Sequence, residues 1–189
     1  MMRQVAAAIA KRGPGVDGPF DNAVAFVDME ASGLGPGTWP IEAGWAIGAD
    51  APQSFLIRPC KTWSMDAWDP KAEALHGLSP ALLVREGLGA KAACSRLNKA
   101  LGGRKVYSDA PDHDGWWLHR LFTAAGAKMA FQLLYLGDLI APFIAVDDTP
   151  GLLAEAERRA PHTHRAAADV RHMQEIYRLA AARGGDPVE

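Results

Sequence analysis

Cysteine is scarce in this 189-residue chain, with only Cys60 and Cys94 present. Neither has the spacing of a metal ligand or the neighbours of a catalytic thiol. A disulfide-stapled scaffold and a cysteine-held metal centre are therefore excluded, and packed thiols in a reducing compartment are expected. Long hydrophobic runs are also missing: nothing approaches the roughly 18 continuous apolar residues of a membrane span. The one apolar stretch near the start, residues 5–10, is followed rather than preceded by Lys11 and Arg12. A secretory signal has the reverse order, so a cytoplasmic protein with no membrane partner is expected. Nor is there an excess of one charge. Twenty Lys and Arg stand against 22 Asp and Glu, for a net charge of −2. That balance excludes a protein that coats long nucleic acid by charge alone. Internal repeats and low-complexity tracts are absent as well.

What is present suffices for one core. Apolar residues make up 49% of the chain, enough for a packed domain and too many for wholesale disorder. Residues 1–22 hold an alanine-rich segment and then Gly13-Pro14-Gly15 and Gly18-Pro19, so an N-terminal arm is expected there. A single domain is expected over residues 23–183, with a tail at 184–189. The pattern predicts strands over residues 23–30, 41–48 and 54–58, joined by brief connections as an antiparallel meander. Short helices are predicted over 70–74 and 80–85, and a longer amphipathic one over 91–101, stopped by Gly102-Gly103. Strands over 105–108 and 131–136 and helices over 114–124, 152–159 and 165–183 complete the reading. A meander followed by alternating strands and helices implies an α/β domain with a mixed sheet.

The acidic residues carry the chemistry. Asp28 and Glu30 stand two apart near the end of the first predicted strand, so their carboxylates share a face. Paired carboxylates repel, and a fold accepts them readily when hard divalent cations sit between them. A bare Asp-x-Glu is common, and its bland reading leaves Glu30 in a solvated loop. Asp114 lies three and four residues before Trp117 and Leu118, on the apolar stripe of its helix, where an unpaired charge is costly. Asp112 reads as a helix cap and Asp109 as a turn residue, with Asp112 a lesser candidate for the same ligand role. Near the C-terminus, Asp169 edges an apolar stripe through Ala166, Val170, Met173, Tyr177 and Ala180. His164, five residues earlier, can approach Asp169 only from the loop before the helix. A histidine beside metal-bound water suits a general base.

These three segments resemble the motifs of the DEDDh-type 3′→5′ exonuclease family, which includes the proofreading subunit of bacterial DNA polymerase III, ribonuclease T and oligoribonuclease. Val27-Asp28-Met29-Glu30-Ala31-Ser32-Gly33-Leu34 is similar to the first motif. The segment from Tyr107 to Leu118 is similar to the second, and His164-Arg165-Ala166-Ala167-Ala168-Asp169 to the third. The second departs from the family pattern, with Asp109 and Ala110 at its His-Asn positions and His113 at its Phe position.

The resemblance implies a ribonuclease H-like mixed sheet, an antiparallel three-strand meander followed by parallel strands, flanked by helices. It implies release of nucleoside 5′-monophosphates from the 3′ end of DNA or RNA by two Mg²⁺ or Mn²⁺ ions. Asp28, Glu30 and Asp169 would hold one ion, Asp28 and Asp114 the second, and His164 would be the base. Ser32, Gly33 and Leu34 would meet the terminal nucleotide, Leu34 against its base, and Arg165 a phosphate. His76, in Leu75-His76-Gly77-Leu78, resembles a segment common in these enzymes and is either structural or close to substrate. Trp39 is a candidate for lining the groove, and Trp116 for stacking on a base. Some relatives are dimers, which leaves a homodimer open. Two other readings compete: a degenerate exonuclease-like module that binds nucleic acid or protein, and a mononuclear zinc hydrolase built on His162, His164 and a carboxylate.

Overall fold

A computed structural model describes residues 24–184. The expected arm at 1–22 lies outside the described residues, as does the expected tail apart from Gly184. Five strands form one sheet in the order β3-β2-β1-β4-β5. Strands β1 (Val24–Ala31), β2 (Pro40–Ile47) and β3 (Gln53–Leu56) pair antiparallel. Strands β4 (Lys105–Ser108) and β5 (Gln132–Tyr135) continue parallel from β1. This is the mixed sheet that the sequence implies.

Alternation along β1 divides the core. Ala25, Val27, Met29 and Ala31 face one layer, with helices α3 (Ala90–Leu101) and α4 (Pro111–Ala125). Val24 and Phe26 face the other, with helices α5 (Leu136–Ile140), α6 (Thr149–Arg159) and α7 (Ala166–Arg183). The short helices α1 (Pro70–His76) and α2 (Pro80–Glu86) close the first layer's edge. Phe26, Leu118 and Met173 are fully buried, each contributing about 1.5–3 kcal/mol by leaving water. Asp28 and Glu30 continue the Val24-Phe26 face, towards the start of α7.

The differences from the predicted elements have local causes. Helix α4 begins three residues earlier than the stripe suggests, because Pro111 takes its first position and has the backbone angle a helix start needs. Asp112 consequently lies inside the first turn and is exposed; the preceding Ala110 holds the cap position instead. Strand β5 stops at Tyr135, and the chain turns directly into α5, an element too short to leave a helical period in the sequence. Strand β3 ends at Leu56, since Ile57 bridges to Leu88 rather than continuing the ladder. No described helix is long and apolar enough to cross a membrane.

Candidate metal-dependent active site

Three elements bring the acidic residues together where β1 ends. Strand β1 supplies Asp28 and Glu30, the first turn of α4 supplies Asp114, and the first turn of α7 supplies Asp169. Asp114 and Asp169 are buried, at 2% and 3% exposure. One oxygen from each of Asp28, Asp109 and Asp114 lies within 4.8 Å of the other two. A second group with the same spacing contains Glu30, His164 and Asp169. All five residues expected at the site therefore meet there, as two adjoining sets of donors.

The carboxylates are kept at a high cost in charge. Burial pushes Asp28 well above the usual carboxylate range, with Asp114, Glu30 and Asp169 adding repulsion. Burial, with Asp169 and Glu42 nearby, raises Glu30 to about 8. Asp114 rises to about 7, chiefly through burial, against the opposing hydrogen bond from Ser108. Ser108 Oγ and the Met29 backbone N–H both donate to Asp114. Thr163 N–H donates to Asp169 Oδ1 at 2.9 Å. Asp28 Oδ2, by contrast, is buried and has no hydrogen-bond partner among the described residues. A buried carboxylate oxygen without a donor is costly, and a cation among these acids would offset that cost. The residues fit a hard-metal site.

The backbone around the site is specialised. His164 sits in the connection before α7 with φ of +54°, a left-handed conformation uncommon outside glycine though enriched for histidine. It is exposed. The start of α7 is seated by Gly44 of β2, which pairs with Asp28 in the ladder. A Cβ at Gly44 would stand 2.4 Å from the Ala166 carbonyl carbon, so only glycine allows the helix this close. Glu42, 1% exposed, accepts hydrogen bonds from Arg165 Nε at 2.9 Å, Arg165 Nη2 at 3.1 Å, Ala166 N at 3.2 Å and Ser54 Oγ at 2.9 Å.

The residues expected at the substrate are placed less uniformly. Leu34 is 76% exposed, beside the site and free to meet a ligand. Gly33 has φ of +155°, and a Cβ there would lie 3.0 Å from Asp69 Cβ, so this turn also requires glycine. Ser32 is corrected: it is fully buried, its hydroxyl donating to the Ala67 carbonyl and accepting from Trp39 N. It pins the turn instead of reaching a ligand. Trp39 is corrected likewise, being fully buried with its ring stacked 5.6 Å from that of Trp63. Arg165 is committed to Glu42, with its outer edge still half-exposed. His76 is buried, its Nδ1 accepting from Leu78 N and its Nε2 without a partner among the described residues. Burial lowers its pKa, with Arg165 and His164 acting in the same direction. Trp116 is 49% exposed, with Arg120 over its ring.

Sequence reasoning passes over Asp109, Glu42 and Ser108. Asp109 looks like a turn residue, although its place two before Pro111 at a helix entrance makes it a candidate for facing the same point as Asp114. Glu42 is the lone charge in the otherwise apolar strand Pro40–Ile47, and that was its signal. The zinc-hydrolase reading is not supported as drawn. The rings of His162 and His164 stand 6.2 Å apart and fall into different groups of donors.

No protein-family model matches this sequence, and no curated protein matches it by sequence. Solved structures do match. Escherichia coli Exonuclease I bound to a dT13 oligonucleotide superposes with a TM-score of 0.67 at 15% identity, over 85% of this chain and 41% of that one. The zinc-bound form of the E. coli enzyme with single-stranded DNA gives a TM-score of 0.65 at 15% identity, over 85% and 40%. Exonuclease I from Methylocaldum szegediense, described as moderately thermophilic, gives 0.65 at 16%, again over 85% and 40%. The described residues thus have a ribonuclease H-like fold shared with part of Exonuclease I. This chain spans about two fifths of the length of those enzymes.

Proposed function

We propose that this chain is a divalent-metal-dependent 3′→5′ exonuclease that releases nucleoside 5′-monophosphates from the 3′ end of single-stranded DNA or RNA. The observation that carries this reading is Asp28 Oδ2, buried and without a partner amid four other carboxylates. The exonuclease fold and the oligonucleotide-bound relatives support it from outside the chain. Asp28, Glu30 and Asp169 would hold one Mg²⁺ or Mn²⁺, and Asp28 with Asp114 the other. Asp109 lies close enough to join the second set. When bound, such ions supply charge that stabilises the attacking and departing oxygens of the phosphodiester.

The chain's own residues do the rest. His164 takes the proton of the water that attacks the terminal phosphorus, and its exposed place in the connection lets it reach that water. Thr163 N–H holds Asp169 in orientation, as Ser108 does Asp114. Glu42 and Gly44 fix the start of α7, and so the distance between His164 and the carboxylates. Leu34 packs against the terminal base, and Gly33 lets the backbone approach its sugar. His76 lies buried behind the site, its Nε2 without a partner among the described residues, and is either structural or close to substrate.

Mg²⁺-dependent digestion of 3′- and 5′-end-labelled DNA and RNA strands tests the reading, with Asp28→Ala and His164→Ala alongside. Stepwise shortening from the 3′ end, lost in Asp28→Ala, is expected. Metal-dependent binding without shortening would instead favour the interaction-module reading.

A further inference from the structure

Beside the catalytic carboxylates, a further group of side chains converges that the proposed reaction does not use. Glu157 lies in the last turn of α6, His162 in the connection to α7, and His172 in the second turn of α7. One donor atom of each lies within 4.8 Å of the other two. The imidazoles of His162 and His172 sit 4.6 Å apart between ring centroids, tilted by 45°. His172 is 5% exposed, and its Nδ1 lies 2.7 Å from the Ala160 carbonyl oxygen. A carbonyl only accepts, so Nδ1 carries a proton there, and the same nitrogen stands 3.7 Å from Glu157 Oε2; an ion would meet this ring at Nε2, with Glu157 swinging towards it. That outer hydrogen bond is the arrangement that orients metal-ligating histidines. The His162 backbone N–H donates to Glu157 Oε2 at 3.2 Å, which holds the carboxylate against the same loop.

We propose that Glu157, His162 and His172 form a site for a single zinc-class transition ion, separate from the carboxylates Asp28, Glu30, Asp114 and Asp169 of the catalytic centre. Two imidazole nitrogens and one carboxylate oxygen form a donor set that favours Zn²⁺ or Co²⁺ over Mg²⁺. Donors sharing one tetrahedral zinc lie roughly 3.3 Å apart, given bonds of about 2.0–2.1 Å. Glu157 and His162 are exposed side chains able to close the remaining gap, while His172 is the fixed post.

The ion would not be isolated from the reaction. His162 Nε2 stands 3.7 Å from Asp169 Oδ2 and 3.9 Å from Asp109 Oδ2. The next residue, Thr163, donates to Asp169, and the one after is His164. An ion on His172 draws His162 from the catalytic acids and clamps the end of α6 to α7. It thereby fixes the connection that presents His164.

Binding is measured directly, with Co²⁺ as a spectroscopic probe and Zn²⁺ as competitor. The full chain carrying Asp28→Asn and Glu30→Gln is used, so that the catalytic carboxylates are weakened and nuclease activity is not the readout. One Co²⁺ per chain with the visible bands of a tetrahedral site is expected, displaced by Zn²⁺ and not by a large excess of Mg²⁺. Adding Glu157→Gln or His172→Gln weakens Co²⁺ binding by at least about tenfold and abolishes the Zn²⁺-induced rise in Tm. Should His172→Gln fail to fold, the exposed Glu157→Gln and His162→Gln carry the same comparison. The site is overturned if the Asp28→Asn, Glu30→Gln chain binds no stoichiometric ion. It is equally overturned if these substitutions leave the affinity unchanged. Either result leaves the exonuclease reading standing, and loss of that reading leaves this site untouched.

Discussion

Arg165 grips Glu42 with two hydrogen bonds, from Nε at 2.9 Å and from Nη2 at 3.1 Å, across 123 residues of sequence. The pair joins the middle strand of the meander to the residue that precedes α7. Glu42 is also the ladder partner of Glu30. One buried carboxylate thus fixes where the third acidic element begins relative to the first.

Breaking that pair should move the site as well as weaken the fold. Removing one partner of a buried, hydrogen-bonded ion pair costs about 3–5 kcal/mol, and the half-exposed arginine places this one towards the lower end. Glu42→Gln is expected to lower stability in urea unfolding and to reduce kcat more than it raises KM. An unchanged kcat would show that Glu42 serves stability alone.

Gly44 sets the closest approach of helix to sheet. A side chain there meets the Ala166 backbone, and overpacking of this kind costs about 1–3 kcal/mol. Gly44→Val is expected to lower Tm and to weaken Mn²⁺ binding, because Asp169 shifts with α7. Calorimetric titration with Mn²⁺ checks the second effect.

The metal-free protein should be less stable in alkali. Glu30 and Asp114 are raised to about 8 and about 7 from ordinary values of 4.5 and 3.8. A carboxyl raised on folding contributes stability that is complete below its unfolded pKa and lost as pH rises through its folded one. In EDTA, Tm is therefore expected to fall between about pH 4 and pH 8, by several degrees. Asp28→Asn should flatten the slope, and Mn²⁺ should raise Tm more at pH 8 than at pH 5. Thermal unfolding followed by circular dichroism across that range reads all three effects.

His164 combines a chemical role with a strained backbone. Its φ of +54° is one that glycine adopts without cost. His164→Gly is expected to keep or slightly raise Tm, while lowering kcat by about 10²–10⁴-fold through loss of the base. A fall in Tm together with near-normal turnover would remove the proposed role.

Much of this arrangement is legible in the sequence, because periodicity reports which way a side chain points. Alternation along β1 places Asp28 and Glu30 on one face, and the α4 stripe turns Asp114 inward. The α7 stripe seats Asp169, and five-residue spacing forces His164 into the loop. What stays hidden depends on contacts between distant segments. Glu42 acquires its meaning from Arg165, and Gly44 from the Ala166 backbone. Ser32 and Trp39 look like groove residues until Ala67 and Trp63 fold over them. Asp109 reads as a turn until β4 and α4 bring it beside Asp28. The pairing of His162 with His172 is obscured because Pro161–Arg165 is irregular and carries no period.

If Asp28 is the shared ligand of a two-ion nuclease centre, metal-dependent turnover requires it. Initial rates of 3′-end digestion of labelled single-stranded DNA and RNA are measured against Mg²⁺ and Mn²⁺ concentration for the unmodified chain and for Asp28→Asn. The expected result is metal-dependent release of nucleoside 5′-monophosphates, reduced by three orders of magnitude or more in Asp28→Asn, about the scale of electrostatic stabilisation lost with a key ligand. Full activity in folded Asp28→Asn would contradict it.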